Sequence, residues 1–289
     1  MGKPGDVGVA EISDMLFTVS DILPGTILIE VNMASNKPGS VSFHNTHTRI
    51  GGGADSRVRT ACQSPTSPCK AAFMHAHLTR TSSSYWENAW LWTADHDLDG
   101  SVPATLAVGR GMLIAARQGT WLLGTGVEHN VLYAYQLASA RNVFASMQQV
   151  ETPYWQPSPR APEPWTPDPA WQDPTFDCEG LGEECYMSWH MRILGGETGT
   201  LALYGQAFWT FFFKGGQDCK GADGTCQMNS VGFQGLGEEE GRGVAVYNLN
   251  TRGVLDLVRL EGAGGRVGAA QKDDWGSWGG LVAAYLGFQ

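Results

Sequence analysis

Long hydrophobic runs are missing from this chain, as is any helical stripe sustained beyond about three turns. No segment approaches the roughly 20 apolar residues that a membrane-spanning helix requires. The N-terminal acylation pattern also fails, because Asp6 stands where Ser or Thr is needed. Basic residues are few: 19 Lys and Arg against 29 Asp and Glu give a net charge of −10 and a pI near 5.1. Neither nucleic acid nor an anionic membrane is therefore expected as a partner, and a neutral polymer suits the surface better. The Gly-x-Ser-x-Gly elbow and the Gly-rich phosphate loops are absent, and no cofactor is expected. No apolar h-region follows Lys3, so the natural protein is expected to start upstream of Met1.

What the chain does have is glycine, 38 residues of it, with 11 Trp, 8 Tyr and 11 Phe and only 17% charged residues. That balance points to turn-rich β structure. The six cysteines fall as Cys62/Cys69, Cys178/Cys185 and Cys219/Cys226, and each pair is separated by six residues. Even spacing with no odd cysteine suggests three local disulfides in an oxidising compartment, with neighbour pairing the simplest of 15 connectivities. Alternation at period two predicts strands at 27–33 and 85–92. Further strands are expected at 41–47, 72–78, 111–116, 131–137, 143–149, 201–205, 244–248 and 254–260. Gly-rich corners separate them, as in Gly51-Gly-Gly, Gly195-Gly196 and Gly215-Gly216. A sandwich and a coiled solenoid both fit. Two-residue hairpin signals are scarce, whereas Asn88, Asn130 and Asn142 resemble solenoid corners; short coils would make on the order of ten turns.

The sharpest chemical signal is a pair of glutamates in one aromatic-rich stretch. Glu128 lies in Trp121-Leu-Leu-Gly-Thr-Gly-Val-Glu-His-Asn-Val-Leu-Tyr-Ala-Tyr135, and Glu151 in Gln149-Val-Glu-Thr-Pro-Tyr-Trp-Gln156. A carboxyl group among aromatic rings is partly desolvated, which raises its pKa toward that of a general acid. Sugars pack their C–H faces on such rings, and glycoside hydrolysis needs an acid for the leaving oxygen. Two ordinary surface glutamates are the competing explanation. Residues 153–174 hold eight of the 14 prolines, with Trp155, Trp165 and Trp171 interleaved. They form either a cleft wall with aromatic platforms or a belt over the protein's flank. Asp95-His-Asp-Leu-Asp-Gly100 starts like a calcium loop but has Leu106 where the twelfth position needs Glu, so an EF-hand is not expected; a different calcium site or a sugar-binding rim stays open there, and no metal ligand is assigned. His75, His77, His44 and His47 read as satisfied polar side chains.

Taken together, several motifs resemble the C-terminal half of glycoside hydrolase family 55, in the pectate-lyase-like superfamily. They are Trp90-Leu-Trp-Thr-Ala-Asp-His-Asp-Leu-Asp99, Gly109-Arg-Gly-Met-Leu-Ile114, Trp121 to Tyr135, Asn142-Val-Phe-Ala145, Glu151-Thr-Pro-Tyr-Trp-Gln-Pro157 and Asp173-Pro-Thr-Phe-Asp-Cys178. The resemblance runs from about residue 25 to about 255 and includes the cysteine pairs. It implies an all-β, right-handed parallel β-helix occupying 1–289 as one domain. It also implies secretion and an exo-acting, inverting hydrolysis of β-1,3-glucan. On the matching motifs, Glu151 takes the proton donor's position and Glu128 a second acidic position, with Tyr154, Trp155, Gln156, His129 and Asp97 contacting sugar. The family forms its cleft between two β-helices, so the resemblance also implies an N-terminal partner half that this chain lacks. Gly126-Val127-Glu128-His129 departs from the family's Ala-Ser-Glu-His, and Trp189-His190 from its Trp-Gly. A non-catalytic glucan-binding module is the alternative, and a calcium-dependent polysaccharide lyase stands third because no Arg or Lys cluster accompanies the acids.

Overall fold

Alternation of inward apolar and outward polar residues lets successive strands wind into coils, and that is the arrangement in the computed structural model. It describes residues 1–53, 56–62, 67–96, 104–195, 200–220, 225–235, 243–260, 265–269 and 279–286. Each coil contributes one strand to each of two sheets. The first sheet stacks Leu23–Val31, Cys69–Leu78, Leu106–Ile114, Asn130–Ala138, Trp189–Leu194, Gln227–Gln234 and Val254–Leu260. The second stacks Val41–His44, Ser84–Thr93, Thr120–Glu128, Val143–Glu151, Leu201–Trp209 and Val244–Arg252. All of these neighbours pair in parallel. Among the described strands, Gly265–Ala269 and Gly279–Leu286 alone join antiparallel, at the ends of the first and second sheets. The fold is a parallel β-helix. It has fewer coils than the ten expected from length, because the connecting segments are long and uneven: the second-sheet strands begin at 84, 120, 143, 201 and 244.

Along the second sheet the coils are bent by residues in the left-handed region, within strands or between two short ones. Asp14, Asn45, Asn88, Gly124, Met147, Gly205 and Asn248 all have positive φ, from 47° to 65°. Their flanking residues pair in register, so these seven stack one above another. Asn and Gly adopt this conformation most readily. Side-chain hydrogen bonds from Asn88 to Asn45 (3.0 Å) and from Asn45 to Asp14 (2.7 Å) run up the stack. The bend resets the alternation. In Val143–Glu151 the inward residues are 143 and 145 before it and 148 and 150 after it, which leaves Glu151 facing out.

The main core lies between the sheets and includes Phe43, Trp86, Leu91, Leu122, Val127, Val150, Leu203 and Phe208. Phe43 and Trp86 stack within it at 3.9 Å. Strands Leu106–Ile114, Asn130–Ala138 and Trp189–Leu194 are buried on both faces. The cause is the Pro- and Trp-rich segment, which lies over the outer side of the first sheet. Trp165 packs with Val131, Tyr133 and Trp189 and bonds the Ala107 carbonyl (3.3 Å). Trp171 packs on Phe73 and His77. Arg110, 1% exposed, pairs with Asp173 through two guanidinium–carboxylate hydrogen bonds and sits over the Phe73 ring. A buried guanidinium needs such a partner to offset its desolvation. Of the two readings of residues 153–174, the structure therefore has the belt and not the cleft wall.

All three cysteine pairs are bonded to their neighbours. The Cα separations are 5.4 Å for Cys62–Cys69, 5.8 Å for Cys178–Cys185 and 4.9 Å for Cys219–Cys226. Cys178–Cys185 packs under the belt. Cys226 is fully buried at the entry to strand Gln227–Gln234, where its backbone N–H donates to the Gly253 carbonyl (3.0 Å). Gly253 has φ 71°, and a Cβ there would lie 3.3 Å from the Cys226 Cβ, so the disulfide meets the next coil at close range. Several strands escaped the sequence reading. Thr120–Glu128 is interrupted by Gly124 and Gly126, and Trp189–Leu194 and Gln227–Gln234 have polar residues pointing inward: His190 bonds Ser230 and Thr210, and Gln227 bonds Thr210. His75 is held likewise between Thr48 and Thr93 (2.7 and 3.0 Å), and burial lowers it to a pKa of about 3, so it is neutral.

Candidate active site

Glu128 and Glu151 close two adjacent strands and are direct register partners, one rung apart, a spacing of about 4.8 Å between strands. Both face outward from the second sheet. The row they occupy continues in each direction: Arg49 pairs with Trp92, Trp92 with Glu128, Glu151 with Trp209, and Trp209 with Arg252. Along the stack it reads Arg–Trp–Glu–Glu–Trp–Arg. The parallel row two residues earlier carries Trp90, Gly126, Gln149, Ala207 and Asn250.

Each carboxylate has its own donors. The Trp90 indole N–H bonds Glu128 Oε2 at 2.9 Å, and Trp90 stacks on Trp92 (4.7 Å, 15°) while staying 39% exposed. Gly126 makes this possible, since a Cβ there would lie 3.1 Å from Gln149 Oε1 and 3.2 Å from Trp90 Cδ1. The Tyr154 hydroxyl donates to Glu151 Oε2 at 2.7 Å, and its ring is stacked on Phe212 (3.8 Å).

His129 lies between them, 4% exposed and in the left-handed region (φ 60°), as the chain turns from one sheet toward the other. Its Nδ1 lies 3.0 Å from the Thr93 carbonyl and 3.6 Å from Asp95 Oδ1. Its Nε2 is 3.9 Å from Glu151 Oε2, an ion-pair distance, with no hydrogen-bond partner among the described residues. Burial opposes a charge on the ring, but Glu151, Asp95 and Glu128 outweigh it and lift the pKa to about 9, so His129 is an imidazolium at neutral pH. Burial also acts on both glutamates. It raises Glu128 above its ordinary value, aided by the Glu151 charge and opposed by His129, Trp90 and Gln149. At Glu151 the pull of His129 and Tyr154 exceeds the burial effect, and its pKa is lowered. The expected elevation among aromatic rings thus falls on Glu128, not on Glu151, because the imidazolium and the phenol both aim at Glu151.

That coupling has a pH signature. His129 titrates at about 9 folded against 6.5 for a free imidazole. Its contribution to stability is therefore complete below about pH 6.5 and is lost as the pH rises through 9. Denaturant midpoints measured from pH 6 to 10 should fall across that window in the parent protein. The fall should be smaller in His129→Gln, and parallel curves would disprove the charged histidine.

Of the other residues singled out from sequence, Tyr154 is at the site. Gln156 is not: it is fully buried, its Nε2 bonds the Val131 carbonyl and its Oε1 accepts from Ser188 N, so it ties the belt to the first sheet. Trp155 packs against the cluster beneath the belt. Cys226, expected as a disulfide partner, is bonded to Cys219 and buried. Asp97 lies outside the described residues, and no group of three metal-ligating side chains occurs among the described ones. Sequence reasoning passed over Trp209 and Arg252, and it read Asp95 only as the first position of a calcium-like loop and as part of a family motif. The aromatic run Phe208-Trp-Thr-Phe-Phe-Phe213 was a signal for Trp209, and nothing marked Arg252.

No family model matches the chain. It is 36% identical over 275 residues to a protein of Arthroderma benhamiae named probable glucan endo-1,3-beta-glucosidase, covering 91% of this chain and 30% of that one. It is 31% identical over 264 residues to the glucan 1,3-beta-glucosidase of Cochliobolus carbonum (83% and 32%). It is also 34% identical over 266 residues to the non-secreted LysM effector LysM15 of Penicillium expansum (89% and 17%). The chain thus spans about a third or less of the curated relatives it matches. The solved structure of sacteLam55A from Streptomyces sp. SirexAA-E, a variant in complex with glucose, superposes with a TM-score of 0.54 at 16% identity, over 97% of this chain and 43% of that one. The fold is shared, and over most of its length the chain is similar to proteins named as glucan 1,3-β-glucosidases, as the motifs suggested.

Proposed function

We propose that the chain is one wall of the active cleft of an extracellular β-1,3-glucan hydrolase. The observation that carries this is the in-register Glu128–Glu151 pair, with Tyr154 and the His129 imidazolium on Glu151 and an exposed indole on Glu128. The names of the relatives supply the substrate class, and three disulfides suit an oxidising compartment.

Glu151 is the proton donor to the glycosidic oxygen. His129, charged and 3.9 Å away, keeps its own proton and steadies the Glu151 carboxylate once Glu151 has given its proton to the leaving oxygen. Glu128 stands on the same face one rung along, so a sugar ring lying on the sheet meets both carboxyls from the same side. Inversion requires the water and its base on the opposite side of the ring. Glu128 therefore shares and tunes the proton of the pair, and the water-holding groups belong to a second, facing β-helix unit. One observation favours exchanged roles: Glu128, not Glu151, has the raised pKa. Another favours a glucan-binding module without turnover: LysM15, which matches the same stretch, is named as an effector.

Trp90 is both exposed and bonded to Glu128, so its emission reports on the site. Laminarihexaose is expected to shift the tryptophan fluorescence of the purified chain saturably, and cellohexaose to leave it unchanged. Equal responses to the two sugars, or none to either, would remove the β-1,3-glucan reading.

A further inference from the structure

The register row does not stop at the carboxylates. One rung beyond Glu151 stands Trp209, and one rung beyond that Arg252. In the neighbouring row, Ala207 sits between Gln149 and Asn250, and its short side chain leaves a gap in the outer face. The gap is a cavity of about 350 Å³ lined by Ala207, Trp209, Phe211, Asn250, Thr251 and Arg252, within the roughly 300–1,000 Å³ typical of small-molecule sites. Its aromatic wall is Trp209 and Phe211, 5.9 Å apart and tilted by 54°. Arg252 Nε is buried without a hydrogen-bond partner among the described residues, and a buried donor in that condition costs stability unless something occupies it. A flat apolar wall with an unmatched guanidinium donor has the composition that receives a sugar: C–H face on the ring, hydroxyls on the nitrogens.

We infer that this cavity is a second sugar-binding subsite, next to the acid pair on the side away from Trp90 and Trp92. A β-1,3-glucan then runs across the rungs, along the axis of the β-helix. One glucosyl unit lies toward Trp90, the scissile bond over Glu151, and a later unit against Trp209, with a hydroxyl accepting from Arg252. This deepens the glucan reading and rests on it.

Calorimetry on the purified chain with laminaribiose and laminarihexaose tests it. The parent should bind the hexaose more tightly, because only the longer sugar reaches both sides of Glu151. Trp209→Ala should weaken hexaose binding at least tenfold and leave biose binding unchanged, removing the advantage of length. Trp209→Phe should keep part of that advantage, and Arg252→Gln should lose part of it, each with an unaltered circular dichroism spectrum. Undiminished hexaose affinity in Trp209→Ala, or an equal loss for both sugars, overturns the second subsite and leaves the glucan reading standing. Failure of the parent to bind either sugar overturns both.

Discussion

Glutamine in place of Glu151 is expected to lower laminarin turnover by about 10²–10⁴-fold, the usual worth of a positioned proton donor. Oligosaccharide binding should survive, since the amide keeps the size of the carboxyl and can still accept from Tyr154. The informative comparison uses a β-glucoside with a nitrophenolate leaving group, which departs without protonation. Glu151→Gln should recover most of its rate on that substrate and Glu128→Gln should not. The opposite pattern would transfer the acid to Glu128, the assignment its raised pKa favours. The parent's pH profile follows from the same field. His129 and Tyr154 hold Glu151 below its ordinary 4.5, so its protonated form grows only as the solution becomes acidic. Turnover should rise as the pH falls from 7 toward 4.5.

The second large effect concerns the facing wall. By itself the chain should hydrolyse laminarin weakly, because acid, sugar and water must be fixed together and a single open sheet supplies neither the far-side water nor exclusion of solvent. Joining it to a second β-helix unit that faces the acid pair should raise turnover at least a hundredfold, with glucose released in the inverted anomeric form. Full laminarin turnover by the 289-residue chain, with that same product, would show that the second sheet's outer face suffices.

Much of this was legible in the residues. Period-two alternation located the strands whose inward residues are apolar, such as Ser84–Thr93 and Val143–Glu151. It missed Thr120–Glu128, where glycines at 124 and 126 serve the bend and the Trp90 platform and so look like a corner. Even cysteine spacing gave the right disulfides, since each pair closes a local excursion. The two glutamates were found from their aromatic company. Their electrostatic order was not, because it depends on His129, Asp95 and Tyr154 converging from separate turns of the chain. Gln156 and Trp155 misled for a related reason: adjacency to Tyr154 in sequence placed them at the site, whereas the chain turns from Tyr154 at the acid to Gln156 on the flank within two residues. Trp209 and Arg252 lie 58 and 101 positions after Glu151, and only the stacking of coils makes them its neighbours.

A glucan has a reducing and a non-reducing end, and an enzyme that trims chains has to tell them apart. The row Arg49–Trp92–Glu128–Glu151–Trp209–Arg252 reads alike from either end in residue type, yet its two arms differ in shape: Trp92 is buried and stacked on Trp90, whereas Trp209 lines an open cavity. The mirror breaks at the carboxylates as well: an indole N–H holds Glu128, while a phenol and an imidazolium converge on Glu151. The polarity with which a chain is read is thus vested in Tyr154 and His129, two side chains beside one acid, and in the unequal arms of the surface on either side of it.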